Sequence, residues 1–167
     1  MNVDLLNSMN LSFLERPTAK LSTNDIANHI RKICIYISTE HKIPHLGSCL
    51  SCLDILSVLY WQVLNIDPVD PLWEARDRFL LSKGHASPIL LQILAYRGFF
   101  PVTDLNLFGK DGSFFHEHPP KPGLVPGVEA ATGSLGHGFS MGLGMAYSSK
   151  IKNMDYRVYA LLGDGEC

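Results

Sequence analysis

Cysteine is scarce in this sequence, with four among 167 residues. Four irregularly spaced cysteines are too few for the disulfide framework of a small secreted domain. Cys49 and Cys52 form a C-x-x-C pair, but zinc sites of this type usually need a second pair. The apolar pattern around them predicts two small buried residues instead. We therefore expect free thiols and a reducing, cytoplasmic compartment.

The chain also lacks an excess of charge and a long uninterrupted apolar run. It carries 14 Lys and Arg against 16 Asp and Glu, a formal net charge of −2. This balance argues against the basic surface of a dedicated nucleic-acid-binding protein. No apolar run approaches the roughly 20 residues that cross a membrane, and the N-terminus has no signal-peptide pattern. We expect a globular domain that binds neither nucleic acid nor a membrane.

Polar residues ahead of apolar periodic stretches predict the helix starts. Residues 1–21 show no firm periodicity and are interpreted as an N-terminal arm. Ser22, with Asp25 three residues later, predicts the first helix, whose isoleucines recur at helical spacing. Ser51, with Asp54 three residues later, predicts the start of the second. The chain is therefore expected to be rich in helix.

Two short apolar runs predict buried strands, Arg78–Ser82 and Arg157–Leu162. The second run leads into Gly163-Asp164-Gly165, two residues before the last one given. A parallel strand requires a crossover and further strands to pair with. We therefore expect the sequence to be a fragment of an α/β domain that lacks most of its sheet.

The glycine-rich turn after the second strand is the sharpest functional pattern. Small residues such as Gly163 and Gly165 let a diphosphate approach the backbone. An aspartate at the carboxyl end of a strand, here Asp164, can hold Mg²⁺ against phosphate oxygens. Another glycine-rich turn, 133–138, precedes a helix, where its N–H groups could meet an anion. That turn is equally suited to close helix packing, because Gly138 begins a four-residue spacing of small residues.

Histidines at breaks between elements form the second pattern. His45, His85 and His118 each lie beside glycine or proline in a predicted loop, and loops on a rigid scaffold often carry functional sites. Imidazoles titrate near neutrality and can donate or accept protons. His116 and His118 flank Glu117 and could instead bind zinc, although the spacing fixes no third ligand. An ordinary polar loop is the remaining interpretation.

Taken in order, the sequence blocks resemble the N-terminal part of transketolase. The blocks are His45-Leu-Gly-Ser48, Asp77–Ala86, His118-Pro119, Pro126–Glu129, Thr132–Gly136, Gly144–Ala146 and Gly163–Glu166. The Gly-His-Gly around His137 is similar to the short, split transketolases, in which the first half is a separate polypeptide. Larger single-chain members usually have Gln at this position.

The resemblance implies a doubly wound α/β fold and a cofactor site. Residues 22–167 would form the truncated N-terminal portion of the thiamine diphosphate-binding domain, with thiamine diphosphate and Mg²⁺ as cofactors. Asp164 matches the metal ligand. His45, His85 and His118 match the histidines that line the reacting centre. The implied cofactor-binding residues are Ser48, His85, Gly133, Ser134, Leu135, Asp164 and Gly165.

The implied activity is the transfer of a two-carbon ketol unit between sugar phosphates. It requires the pyrimidine-binding domain of a C-terminal half or of another polypeptide, in a homo- or hetero-oligomer. The asparagine that completes the metal site and the glutamate of the other half are absent from this sequence, so we expect no activity from the chain alone. The alternatives are another thiamine diphosphate enzyme, of the dihydroxyacetone synthase or deoxyxylulose phosphate synthase type, and a non-catalytic short product that binds a partner chain.

Overall fold

A layer of helices packs beside a two-stranded parallel sheet in the computed structural model, which describes residues 21–167. The predicted arm, residues 1–21, lies outside the described residues except for its last position. The main elements, in chain order, are α1 (Thr23–Glu40), α2 (Leu46–Val58), β1 (Arg78–Leu81), α3 (Ser87–Arg97), α4 (His137–Ile151) and β2 (Val158–Leu161). Short 3₁₀ segments lie at Gly84–Ala86, Val102–Leu107 and Asp164–Glu166. The predicted α/β class, mostly helical with few parallel strands, is confirmed.

Helix α1 begins where the capping pattern predicts it. The Asp25 N–H donates to Ser22 Oγ at 3.2 Å, so the Ser22 side chain caps the first turn. The apolar stripe faces the core and is almost completely buried at Ile26, Ile30, Ile33 and Ile37. Burial of this stripe, more than helix propensity, stabilises the helix.

Helix α2 begins six residues earlier than the sequence predicts. Its N-cap is His45, in the left-handed conformation at φ 65° and ψ 23°. Ser51 lies inside the helix, where its Oγ donates to the Ser48 carbonyl at 2.9 Å. The prediction of a cap at Ser51 is wrong because a left-handed turn at a non-glycine residue has no strong sequence signal. The helix continues through a wider π-helical turn, Leu59–Val63.

The segment Leu46–Val63 is long and apolar enough to cross a membrane by length and composition, with a mean hydropathy of 1.4 over 18 residues. A core helix of a soluble protein meets the same criteria, and a third of this segment is buried. Its buried side includes Cys49, Leu53 and Leu56 within the main hydrophobic core. This length is not evident from uninterrupted apolar runs because polar residues such as Asp54 divide the segment.

The two strands pair in parallel. Strand β1 is mostly buried, as predicted, whereas β2 is only half-buried along its length, because it has a paired neighbour on one side only within the described residues. Arg78 lies opposite Val158, and Leu81 lies opposite Leu161. The Asp77 carboxylate fixes the start of both strands, since it accepts the N–H of Asn65 at 2.9 Å and the N–H of Arg157 at 2.7 Å. Because the strands are parallel and in register, their carboxyl ends open at the same edge of the sheet.

Helix α4 approaches the end of β1 at Gly138. A Cβ added there would lie 2.5 Å from Ser82 Cα and 2.7 Å from Ser82 Oγ. At Gly142 the nearest atom would be Val158 Cγ1 at 3.6 Å, an ordinary contact. The predicted close backbone approach is therefore confirmed at Gly138, which brings the first turn of α4 against the same sheet edge.

We predict that Gly138→Ala destabilises the chain by roughly 1–3 kcal/mol, because the added methyl group overlaps the Ser82 backbone. The matched control is Gly144→Ala in the same helix, where nothing lies within 4 Å of an added Cβ. This control should be neutral or stabilising by up to about 1 kcal/mol through helix propensity. Urea unfolding of both variants checks the pair, and equal stabilities would contradict the close approach.

Candidate functional site

The candidate site lies at the sheet edge where both strands end. The turn Gly84–Ala86 follows β1 and carries His85, and the turn Asp164–Glu166 follows β2. The first turn of α4 packs beside them at Gly138. Ligand sites of open parallel sheets are commonly found in this position, outside the carboxyl ends of the strands.

The three predicted histidines lie near one another. The rings of His45 and His85 are 5.3 Å apart between centroids and inclined at 58°. His118 packs over the loop before α4, where a Cβ on Gly133 would lie 3.2 Å from its Cδ2. It is also near enough to His85 to influence its charge. The sequence blocks that carry these residues thus converge, although their catalytic roles remain predictions.

The local environment disfavours protonation of His85. Burial is the main cause that lowers its pKa below the ordinary histidine value, and the neighbouring His45 and Lys83 lower it further. His118 acts in the same direction, and Glu166 opposes the shift. At neutral pH the His85 imidazole is therefore mainly uncharged and can both donate and accept a hydrogen bond.

The loop that carries Gly133 is held tightly against the end of β1. Thr132 Oγ1 donates to the Leu81 carbonyl at 2.6 Å. A Cβ at Gly84 would lie 2.6 Å from the Thr132 carbonyl oxygen and 2.8 Å from the Gly133 nitrogen. Only glycine at position 84 leaves room for this loop. Ser134 and Leu135 follow in the same loop, and their assignment to cofactor binding stays a prediction.

Asp164 and Gly165 lie exposed on the turn after β2. Within residues 21–167, the Asp164 carboxylate forms no hydrogen bond or ion pair. Nothing lies within 4 Å of a Cβ placed on Gly165. A free carboxylate beside accessible backbone fits a Mg²⁺ ion that accompanies a diphosphate, because Mg²⁺ prefers oxygen ligands and binds through few carboxylates.

Lys83 connects Ser48, one of the predicted cofactor-binding residues, to the sheet edge. Lys83 itself was not identified from the sequence. Its side chain is buried, and Nζ donates to the Ser48 carbonyl and to Ser51 Oγ, each at 3.1 Å. The first turn of α2 is thereby tied to the end of β1. The position of Lys83, directly after a buried strand, is the signal that could have indicated it.

Glu166 is the second residue that sequence reasoning missed. Its carboxylate accepts from Ser82 Oγ at 2.6 Å, from the Gly163 N–H at 2.7 Å and from the Gly136 N–H at 2.9 Å. Burial alone would raise its pKa, but these hydrogen bonds outweigh burial and hold the pKa below the ordinary glutamate value. The Gly136 N–H, within the turn predicted to meet an anion, thus contacts a carboxylate of the chain itself.

A cavity of about 500 Å³ adjoins the site on the side of His118. His118 forms part of its wall, so the cavity opens beside the histidine group. Polar side chains from two segments line it together with apolar ones. The full lining is His41, Ile43, Phe108, Gly109, His116, Glu117 and His118.

The zinc interpretations find no support in the described part of the chain. Among residues 21–167, no three His, Cys, Asp or Glu side chains are grouped to hold a metal ion. All four cysteines are free, and Cys49 and Cys52 are buried. Burial raises the pKa of the Cys52 thiol to about 11. The prediction of small buried residues at the C-x-x-C pair is confirmed.

The geometry at this edge agrees with a family assignment. Residues 22–166 match the family described as "Transketolase, thiamine diphosphate binding domain". The chain belongs to the transketolase family and carries sequence of its thiamine diphosphate-binding domain. The ordered blocks quoted from the sequence therefore indicated the correct family.

Two similar proteins are single components of split transketolases. The chain is 41% identical over 136 residues to one component of the apulose-4-phosphate transketolase of Phocaeicola vulgatus, covering 81% of this chain and 48% of the relative. It is 38% identical over 140 residues to the SqwG component of the 6-deoxy-6-sulfo-D-fructose transketolase of Clostridium sp., covering 84% and 50%. The chain spans about half the length of these relatives, and its resemblance to the split type is confirmed.

A solved structure gives the same assignment for the fold. The transketolase from Leishmania mexicana superposes with a TM-score of 0.80 at 30% sequence identity. The match covers 87% of this chain and 23% of that longer chain. The helical layer and the two parallel strands are thus part of a transketolase-like α/β domain.

We predict that His45→Ala raises the pKa of His85, because the nearby His45 imidazole is one cause of the lowered value. NMR titration of the His85 ring measures the shift. His116→Ala is the matched control, since His116 is not among the groups that shift His85, and it should leave the titration unchanged. An unchanged midpoint in the His45 variant would contradict the observed proximity.

Proposed function

We propose that this chain is the thiamine diphosphate-binding part of an enzyme that transfers a two-carbon ketol unit between sugar phosphates. The observation that carries the proposal is the convergence of His45 and His85 with the Gly163-Asp164-Gly165 turn at the carboxyl edge of a parallel sheet. The family supplies the cofactor class, and the arrangement of this chain's own residues suits it.

The cofactor would be held mainly by the two turns at the sheet edge. Asp164 would bind Mg²⁺, and the Gly165 N–H would face the diphosphate. The loop of Gly133, Ser134 and Leu135 would lie along the cofactor, with Ser48 at the start of α2 on the other side. The tight contact between Gly84 and this loop supports the assignment, because it fixes the loop beside the histidines.

Thiamine diphosphate, when bound, supplies the nucleophilic carbon and the electron sink for ketol transfer. The three histidines would handle protons at the substrate hydroxyl and carbonyl oxygens. His85, with its lowered pKa, is available at neutral pH as an uncharged acceptor or donor. His118 would act between this group and the adjoining cavity, through which a sugar could enter.

The active unit would include a complementary chain or domain that binds the pyrimidine end of the cofactor. The proposal is supported by two relatives that are themselves components of split transketolases. A homo- or hetero-oligomer in the cytoplasm would then be the working enzyme. The names of the two relatives include apulose-4-phosphate and 6-deoxy-6-sulfo-D-fructose. Both sugars carry an anionic group, which points to ketoses with an anionic end as the substrate class.

We predict that ketol transfer requires a complementary chain. The purified chain should show no turnover of a ketose phosphate with thiamine diphosphate and Mg²⁺. The chain extended to the length of its split relatives, and mixed with the C-terminal half of a split transketolase, should show turnover. A coupled spectrophotometric assay of donor and acceptor consumption checks both arms. Turnover by the chain alone would overturn the requirement, and no turnover in any pairing would count against the proposed function.

We predict that Asp164→Asn weakens binding of thiamine diphosphate with Mg²⁺ by roughly tenfold or more, because a metal-binding carboxylate is replaced by a neutral amide. Isothermal titration measures the dissociation constant, with the chain extended to the length of its split relatives and mixed with its complementary half. Asp155→Asn makes the same chemical change at an exposed position before β2 and should leave binding unaffected. Equal affinities in the two variants would remove Asp164 from the metal site.

A further inference from the structure

The Glu166 carboxylate connects three separate segments of the sheet edge. Ser82 belongs to the end of β1, Gly163 to the end of β2, and Gly136 to the start of α4. Each segment gives one hydrogen bond to Glu166, and the three distances lie between 2.6 and 2.9 Å. Charge-assisted hydrogen bonds of this length are the stronger class in proteins.

Two of the three donors to Glu166 are backbone N–H groups, those of Gly136 and Gly163. Gly136 is the N-cap of α4, has φ 83°, and provides no side chain to cap the helix. Its N–H lies in the first turn, where the helix dipole favours a negative charge. Glu166 supplies that charge from a residue 30 positions away in the sequence.

The same carboxylate closes the turn that carries Asp164 and Gly165. The Glu166 N–H donates to the Gly163 carbonyl at 3.1 Å, while the Glu166 side chain accepts the Gly163 N–H at 2.7 Å. Both the backbone and the side chain of Glu166 therefore hold the turn closed. Asp164 and Gly165 lie between these bonds and are exposed.

We propose that Glu166 is a positioning residue that sets the spacing of the β1 end, the β2 end and the α4 start, and so holds the diphosphate-binding turn in its binding geometry. By accepting the Gly136 N–H, it also removes this one donor from those available to the diphosphate. The link to cofactor binding rests on the proposed function, whereas the link between the three segments rests on the hydrogen bonds alone.

The connection that Glu166 makes between the three segments is tested by NMR without any cofactor. Glu166→Gln keeps the side-chain length but removes the charge, so the amide protons of Gly136 and Gly163 should both move upfield and exchange faster with solvent. Glu166→Ala should increase both effects. Glu74→Gln is the matched control at an exposed carboxylate and should leave both amides unchanged. If the two glycine amides keep their shifts and exchange rates in both Glu166 variants, the proposal is wrong.

The effect of Glu166 on cofactor binding is tested with the chain extended to the length of its split relatives and mixed with its complementary half. Thiamine diphosphate with Mg²⁺ is the probe. Glu166→Ala should weaken binding about tenfold or more, as expected when several charge-assisted hydrogen bonds are lost. Ser82→Ala keeps both glycine bonds and should weaken binding less. Wild-type affinity in Glu166→Ala would overturn the positioning role.

The two proposals fail in different ways. If even the wild-type protein binds no thiamine diphosphate, the proposed function fails, while the glycine amides still decide whether Glu166 joins the three segments. If wild type binds the cofactor and the amides respond but affinity does not, the positioning role fails and the proposed function stands. Circular dichroism melting of each variant separates either result from unfolding.

Discussion

The parallel, in-register pairing of β1 with β2 is the constraint on which the rest of the site depends. It brings two sequence segments about 80 residues apart to one edge, so that the turn after each strand faces the same space. Asp77 lies directly before β1 and accepts the N–H of Arg157, which lies directly before β2, so it joins the starts of the two strands. It also accepts the N–H of Asn65. The register of the two strands therefore determines where the turns of His85 and Asp164, and their proposed cofactor contacts, lie.

Two polar side chains join the segments that surround the site at this edge of the sheet. Lys83 ties the first turn of α2 to the end of β1, and Glu166 ties the end of β2 to the start of α4. These two groups carry opposite charge and have opposite effects on the pKa of His85. Beside the larger effects of burial and His45, the residues that hold the surrounding segments together therefore also influence His85.

Much of this architecture could be predicted from residue patterns. The Ser22 cap, the isoleucine stripe of α1 and both strands follow from local capping and burial, which act over a few residues. Close packing at Gly138 also followed from the spacing of small residues. The family blocks identified residues of the site, such as His45 and His85, before their positions in space were known.

The remaining features depend on distant contacts that leave little local signal. The start of α2 was missed because His45 takes a conformation that glycine adopts more readily. Glu166 was missed because its partners lie on three segments, and a glutamate after Gly-Asp-Gly reads as an exposed turn residue. The high mean hydropathy of the 18-residue segment Leu46–Val63 was missed because polar residues on its exposed side interrupt the apolar run in the sequence.

His45 combines a local energetic cost with a position in the histidine group. It is one of three described non-glycine residues with positive φ, together with Lys42 and Asn153. Such a conformation costs a side-chain-bearing residue on the order of 1 kcal/mol or more, a cost that glycine would largely avoid. Selection for stability alone would favour glycine there, whereas the imidazole 5.3 Å from His85 can be kept only with the strain. Under the proposed function, position 45 is a point where thermal robustness and activity should evolve in opposite directions.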